Sequence, residues 1–322
     1  MSSLLKLIQN ENMKIYSRIG TWIMIFLLIL GVCAMVLITK YQPKFQDPNE
    51  ANYKANWKQM LQEQNQQNKL MLQEPEFPEE QKKYIEQEIK MNEYRIQHNL
   101  SPFTENGLDT VLLTSEGFIM MVTIFTIIVA GGSVAGEFSS GTIKLLLIRP
   151  VSRAKVLLSK YIATLLYALL LILLLFVTTF ALGGIFFGFS GLENPILYYA
   201  NGQVLERSAI EMTWINFGFG AVEMIIWVTL AFMISSVFRN SALSIGLSIF
   251  ILFISMPVMQ FLLKYSWAKY LIFPNTDLSV YFSGAPLIEG MTLGFSIIVL
   301  LVYFLLFHAL SFFVFKKRDV GA

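Results

Sequence analysis

Six stretches of this chain, 21–39, 117–136, 161–186, 217–237, 241–263 and 291–315, are continuous apolar runs. Between them they contain a single Asp, Glu, Lys or Arg, Glu223. Each is long enough for a helix to cross a hydrocarbon core, which takes about 20 residues for ~30 Å. The runs do not alternate apolar with polar residues, so helices are expected rather than barrel strands. Composition agrees: 55% of the residues are hydrophobic and 14% charged, against about 25% charged in a typical soluble protein. A disordered chain is excluded, and so is a disulfide scaffold, because Cys33 is the only cysteine. An ordinary soluble enzyme is disfavoured. The first run has no small-x-small cleavage site after it and is read as a span. The expected fold is all-α: a polytopic membrane protein with six transmembrane helices, an N-terminal interfacial helix and an extracellular helical hairpin.

Lys and Arg in the short connections set the orientation. Lys6, Lys14 and Arg18 precede the first run. Lys144, Arg149, Arg153, Lys155 and Lys160 lie between the second and third, Arg239 between the fourth and fifth, and Lys316, Lys317 and Arg318 after the sixth. Six spans put all four segments on one side, so both termini are expected in the cytoplasm. The net charge of +2 is then a cancellation. The inner side holds twelve basic and three acidic residues, the outer side twelve basic and eighteen acidic.

Much of the outer charge falls in 40–116, which holds 9 basic and 13 acidic residues. Asp47-Pro48-Asn49-Glu50 reads as a helix start. Tyr53, Trp57, Met60 and Leu61 then share a helical face, Pro75 and Pro78 mark a break, and Tyr84, Ile85, Ile89 and Ile96 share the face of a second helix. An antiparallel hairpin with arms of roughly 30–35 Å is expected on the outer surface, either as a spacer or as a cap that contacts substrate or a partner. Residues 1–20 form a basic amphipathic helix, lying in the interface or extending the first span. Residues 187–216 are an outer loop. Residues 264–290 combine belt aromatics with Pro274, Gly284 and Pro286, which suits a re-entrant or interfacial segment.

Catalytic constellations do not show. His98 and His308 are far apart, and there is no G-x-x-x-x-G-K-[ST] loop for a nucleotide. Gly131-Gly132 ends the second run and suits close helix packing. The most informative stretch is the cytoplasmic connection 137–160. It carries Ile143, Leu145, Leu146, Leu147 and Ile148, apolar residues with little reason to stand in a loop unless something covers them. A short helix begun at Ser140-Gly141-Thr142 and ended at Arg149-Pro150 accounts for them. It either offers its apolar face to a partner groove or lies on lipid headgroups.

Glu137-x-x-x-Gly141-Thr142, Leu145-Leu146, Arg149-Pro150-Val151-Ser152-Arg153 and Lys160 together resemble the signature region of ABC-2 type permeases, the membrane subunits of bacterial ABC exporters. The interfacial helix, the six spans, the broken segment before the last and the tail Lys316-Lys317-Arg318-Asp319-Val320 resemble that plan too. The resemblance covers most of the chain outside 40–116. It implies ATP-driven export of an amphipathic molecule such as an antimicrobial peptide or drug. It implies two copies of a separate ATPase subunit holding ATP and Mg, with no cofactor on this chain, and a second permease subunit. No nucleic-acid partner is implied. The loop would act as a coupling helix: Phe138, Ile143, Leu146 and Ile148 would dock, Gly141 and Thr142 would begin the helix and be needed for coupling, Pro150 would disturb or end it, and Glu137, Arg149 and Arg153 would make ionic contacts or pin the helix.

Glu223, the one ionised residue inside a run, either reaches the headgroups or lines an outer vestibule of the translocation path for a cation. An ion-gradient transporter or channel, and a receptor that senses a ligand through 40–116, are the rival classes. The first should carry more ionisable residues in its spans, the second a cytoplasmic output domain.

Overall fold

The computed structural model describes residues 4–41, 55–74, 79–102, 107–143, 151–200, 202–283, 288 and 290–317. The helix start at Asp47–Glu50, Tyr53, the prolines Pro75 and Pro78, and the apolar stretch from Leu145 to Ile148 lie outside the described residues.

Among the described residues the chain is all-α and polytopic apart from one small β-hairpin. Six of the described helices are long and apolar enough to cross a membrane: Ile19–Tyr41, Leu108–Ser133, Arg153–Phe187, Ala209–Val237, Ser241–Leu262 and Leu293–Lys317. They are called spans 1 to 6. Several start before their apolar runs, because hydropathy marks the stretch that tolerates lipid while backbone hydrogen bonding carries a helix past it. Span 3 has 35 residues, about 52 Å at 1.5 Å per residue, so Arg153, Lys155 and Lys160 lie in its first turns rather than in a loop. A side-chain cap starts it: the Ser152 hydroxyl accepts from the Lys155 amide. Span 4 starts at Ala209 behind a full capping box between Ser208 and Glu211.

Span 4 lies against spans 2, 5 and 6, and span 3 against spans 1, 2 and 6. Spans 2 and 4 are the inner pair, carrying Val122, Ile127 and Ala130 on one and Trp227, Val228, Ala231 and Phe232 on the other, all nearly inaccessible. The outward faces of the remaining spans show Trp22, Phe26, Phe253, Ile298, Leu305 and Phe313, which suits lipid as solvent. The N-terminal helix Leu4–Tyr16 packs along the start of span 3.

Gly131 sits where spans 2 and 5 touch. A β-carbon there would come within 3.0 Å of the Ile245 side chain and 3.2 Å of its Cα. Gly131→Leu is therefore expected to force the two helices apart and cost about 1–3 kcal/mol as overpacking. Its check is a lowered midpoint of detergent unfolding, with Gly218→Leu, where nothing stands within 4 Å, as the tolerated comparison.

Between spans 1 and 2, helices Trp57–Met71 and Glu79–His98 pack together. Trp57, Leu61, Ile85 and Ile89 are buried between them, and Asn92 Nδ2 donates to Asn65 Oδ1 at 2.9 Å. Tyr84, expected on that face, is exposed. The described arms are about 22 and 30 Å long. The loop after span 3 contains strands β1 (Ile196–Ala200) and β2 (Gln203–Arg207), paired antiparallel with Ala200 opposite Gln203. Lys90 donates to the Tyr199 hydroxyl and the Tyr94 hydroxyl to Glu206, joining this hairpin to the second arm.

Residues Ser266–Tyr270, Phe273–Thr276 and Val280–Ser283 form three short helical turns before span 6. Such broken backbone needs polar partners wherever water is scarce. Asn275, fully buried, supplies them: its Nδ2 donates to the carbonyls of Lys269 and Leu271, and its Oδ1 accepts from Ser296 of span 6.

Candidate functional site

Span 2 breaks at Val134, and a five-residue helix, Ala135–Ser139, turns away from it. A new helix start leaves backbone amides without carbonyl partners. Ser235 of span 4 satisfies two of them, accepting from Val134 N at 3.1 Å and Ala135 N at 2.9 Å. Ser139 fixes the other end, donating to the Arg239 carbonyl and accepting from Ser241 N. The elbow is thus held to both sides of the turn between spans 4 and 5.

Glu137 points from this elbow into a closed ring of alternating charge. Its Oε1 lies 2.7 Å from Lys14 Nζ and 2.9 Å from Lys160 Nζ. Glu11 completes the ring, 2.8 Å from Lys160 and 3.1 Å from Lys14. Lys160 is 2% exposed, Glu11 and Glu137 8% each. A lone buried lysine or glutamate is very costly, and two of each sign in a ring cancel and saturate one another's hydrogen bonds. The Thr142 hydroxyl donates to Glu137 Oε2, so the carboxylate is met from the N-terminal helix, span 3 and the turn after the elbow. Burial alone would raise the Glu137 carboxyl. The Lys160 charge and the hydrogen bonds from Lys14, Thr142 and Lys160 outweigh it and hold the group at about 2.

Gly141 has φ +71°, stands exposed, and has open space where a β-carbon would go. Only its backbone conformation demands glycine. Phe138 is half-buried against the main core, and Ile143 is 5% exposed and part of that core. The expectation that Ile143 docks into a partner is therefore corrected, since its side chain is already covered by this chain. Arg153 Nη1 donates to the Lys316 carbonyl at 3.0 Å, tying the start of span 3 to the end of span 6. Leu146, Ile148, Arg149 and Pro150 lie outside the described residues. In the sequence, Glu11 and Lys14 register as topology charges only, Lys160 as a topology charge and a point of the family resemblance, and Ser235 does not stand out. The available signal is Lys160 itself, a lysine in the second turn of a helix that is apolar from there on.

Glu223 is not part of this ring. It lies in span 4, about 21 Å from the helix start at Ala209 rather than one or two turns from the end. Trp227 Nε1 donates to its Oε1 at 3.2 Å, and the Trp227 ring stacks on Phe273. Ile215, Phe219 and Glu223 follow one another at i, i+4 spacing along one face of span 4. Ile215 and Phe219 line a cavity of about 440 Å³ between helix Glu79–His98, the β-hairpin and the N-terminal part of span 4. Sequence reasoning misses this cavity, whose lining is scattered from Tyr84 to Ser279.

Comparison with known proteins gives the family. The chain is 42% identical over 322 residues to the uncharacterized protein YhcI of Bacillus subtilis (strain 168), covering 99% of this chain and 100% of that one. It is 33% identical over 224 residues to the uncharacterized membrane protein YdbK of the same organism, covering 69% of this chain and 87% of that one. The matching family model spans residues 85–321 and is DUF2705, a protein of unknown function. This corrects the resemblance to ABC-2 type permeases. The motif behind it is short, and its fixed points have local reasons here: Glu137 balances two lysines, Gly141 supplies a left-handed turn and Thr142 caps a carboxylate. Six membrane-length helices and the relationship to YdbK make the chain a multi-pass membrane protein; it belongs to the DUF2705 family.

Proposed function

We propose that this chain is the membrane subunit of an ATP-driven exporter, with nucleotide and Mg bound by a separate ATPase chain. The spans form the translocation path for an amphipathic molecule, of the kind represented by antimicrobial peptides and drugs. The subunit acts in the bacterial cell membrane with both termini in the cytoplasm, paired with a second permease subunit and two ATPase copies. This chain supplies transport, not catalysis.

One observation carries the reading. The exposed turn at Gly141 and Thr142 is bonded straight into a buried ion ring that joins the N-terminal helix to span 3. A partner that moves this turn moves rigid elements on two sides at once, whereas a loop resting on headgroups needs no buried anchor. The basic excess of the cytoplasmic segments favours a partner there with acidic contacts.

The test is co-expression with candidate ATPase subunits from the same genome, followed by transport and ATP hydrolysis in the same vesicles. Gly141→Val combined with Thr142→Ala is expected to lower transport per ATP about tenfold, since left-handed backbone costs a side-chain-bearing residue about 1–2 kcal/mol. Complex formation should persist. Full transport by that variant, or no ATPase partner for the wild type, overturns the reading.

A further inference from the structure

The cavity of about 440 Å³ on the outer side has the size of a small-molecule site, which runs to about 300–1,000 Å³. Its walls are mostly apolar and aromatic, with Tyr84, Met91, Tyr198, Tyr199 and Phe219 among them. The polar groups around it favour one charge. Glu88 lines the cavity, and its carboxylate accepts from two neutral amides, Gln64 Nε2 at 2.8 Å and Asn68 Nδ2 at 3.1 Å. Those bonds orient the carboxylate and leave its charge in place. Two other lining residues each lead to a further carboxylate: Asn216 donates to Glu116, and Ser279 donates to Asp277.

Two cations oppose these three acids, and each already sits on a tyrosine of the wall. Arg207 lies 4.8 Å from the Tyr198 ring centre and Lys90 5.3 Å from that of Tyr199. Tyrosine faces attract positive charge, and this wall holds two cations in that way. Tyr84 stands one helical turn from Glu88, 56% exposed. A ring and a carboxylate at i, i+4 on one helix face together suit a positive group.

We propose that this cavity binds an amphipathic organic cation, with the positive group at Glu88 and Tyr84 and the apolar body against Met91 and Phe219. Phe219 lies one turn outward of Glu223 on the same face of span 4. The next carboxylate along the path is thus in line with the cavity floor. The assignment rests on the transport reading for its purpose, but binding needs neither ATPase nor turnover. A failure here leaves the coupling experiment untouched, and the reverse holds too.

The test uses the full chain in nanodiscs and two ions of one shape and opposite charge, tetraphenylphosphonium and tetraphenylborate, with empty nanodiscs as the blank. Saturable binding of tetraphenylphosphonium alone is expected. Glu88→Gln removes the charge and keeps one of the two acceptor oxygens, the other partner amide being free to flip and accept from the new NH2, and should weaken binding about tenfold; Tyr84→Ala, at an exposed position, should weaken it about fivefold. Equal or better binding of tetraphenylborate would assign the cavity to anions through Arg207 and overturn the proposal. So would undiminished binding in Tyr84→Ala and Glu88→Gln, which would mean partition into lipid, or no saturable binding at all.

Discussion

Lys160→Met should be among the most damaging single substitutions in the half of the protein that holds the ion ring, costing about 3–5 kcal/mol, the range for breaking a buried ion pair by removing one partner. Lys160 is 2% exposed and is the one residue of the ring that touches both buried carboxylates without reaching water. Lys14 also touches both, but its side chain is 38% exposed. Without Lys160, Glu11 and Glu137 are left with one half-solvated cation between them, and at least one carboxylate must take up a proton or pull away. Methionine keeps the length and the packing, so the loss reports the charge and not a cavity. The measurement is unfolding of the purified protein in detergent. The double variant Lys160→Met with Glu137→Gln should be much closer to wild type than the sum of the two single variants, because the orphaned charge is removed with its partner. A loss below about 0.5 kcal/mol for the single variant, or strict additivity in the double, would show that the ring is not energetically closed.

The spans were legible because lipid imposes one requirement on every residue of a run, and continuous runs meet it. Their ends were less so: nothing in hydropathy says that span 3 starts at Arg153 or span 4 at Ala209, because backbone bonding and the Ser152 and Ser208 caps decide that. The β-hairpin is signalled in the sequence, but weakly. Asn201-Gly202 between two short runs is a strong two-residue turn signal, and Gly202 takes φ +84°, but five-residue strands are inconspicuous in a chain this apolar. The ion ring was not legible. Glu11 and Lys160 are 149 positions apart, and each taken singly is an ordinary charge beside a membrane span. Asn275 was hidden for a related reason: its work is to bond the Lys269 and Leu271 carbonyls within its own bend and Ser296 of span 6, and nothing in its immediate sequence announces that. The family resemblance goes astray at the same level. Residue types at short spacing suggest a shared partner, while the structure uses Glu137, Gly141 and Thr142 to hold the elbow itself.

The same ring predicts how stability depends on pH. The Glu137 carboxyl lies at about 2 against an ordinary 4.5, because the Lys160 charge and three donors outweigh the burial that would raise it. A depressed carboxyl contributes stability that is complete above the unfolded value and is lost as the pH falls toward the folded one. The loss should therefore run from about pH 4.5 down to about pH 2. At 1.36 kcal/mol for each pH unit between those two values it amounts to at most about 3–4 kcal/mol, and to less where water reaching Lys14 screens the ring. Lys14 sets the opposite limb. Burial pulls its ammonium down, but the hydrogen bond to Glu137 and the charges of Glu11 and Glu137 more than compensate, so its pKa is raised above 10.5. Its contribution is present below that pH and disappears above it. The plateau lies between, across the whole physiological range, as expected of an anchor rather than a switch. Unfolding midpoints measured from pH 2 to 7 should fall on the acid side for wild type and fall less for Glu137→Gln, which has no proton to gain. Thr142→Ala should move the acid limb upward by a fraction of that interval, because one of the donors that holds the carboxylate is gone. Superimposable acid limbs for wild type and Glu137→Gln would mean that the carboxylate is not held by its lysines. The exposed turn would then have no rigid path into the bundle.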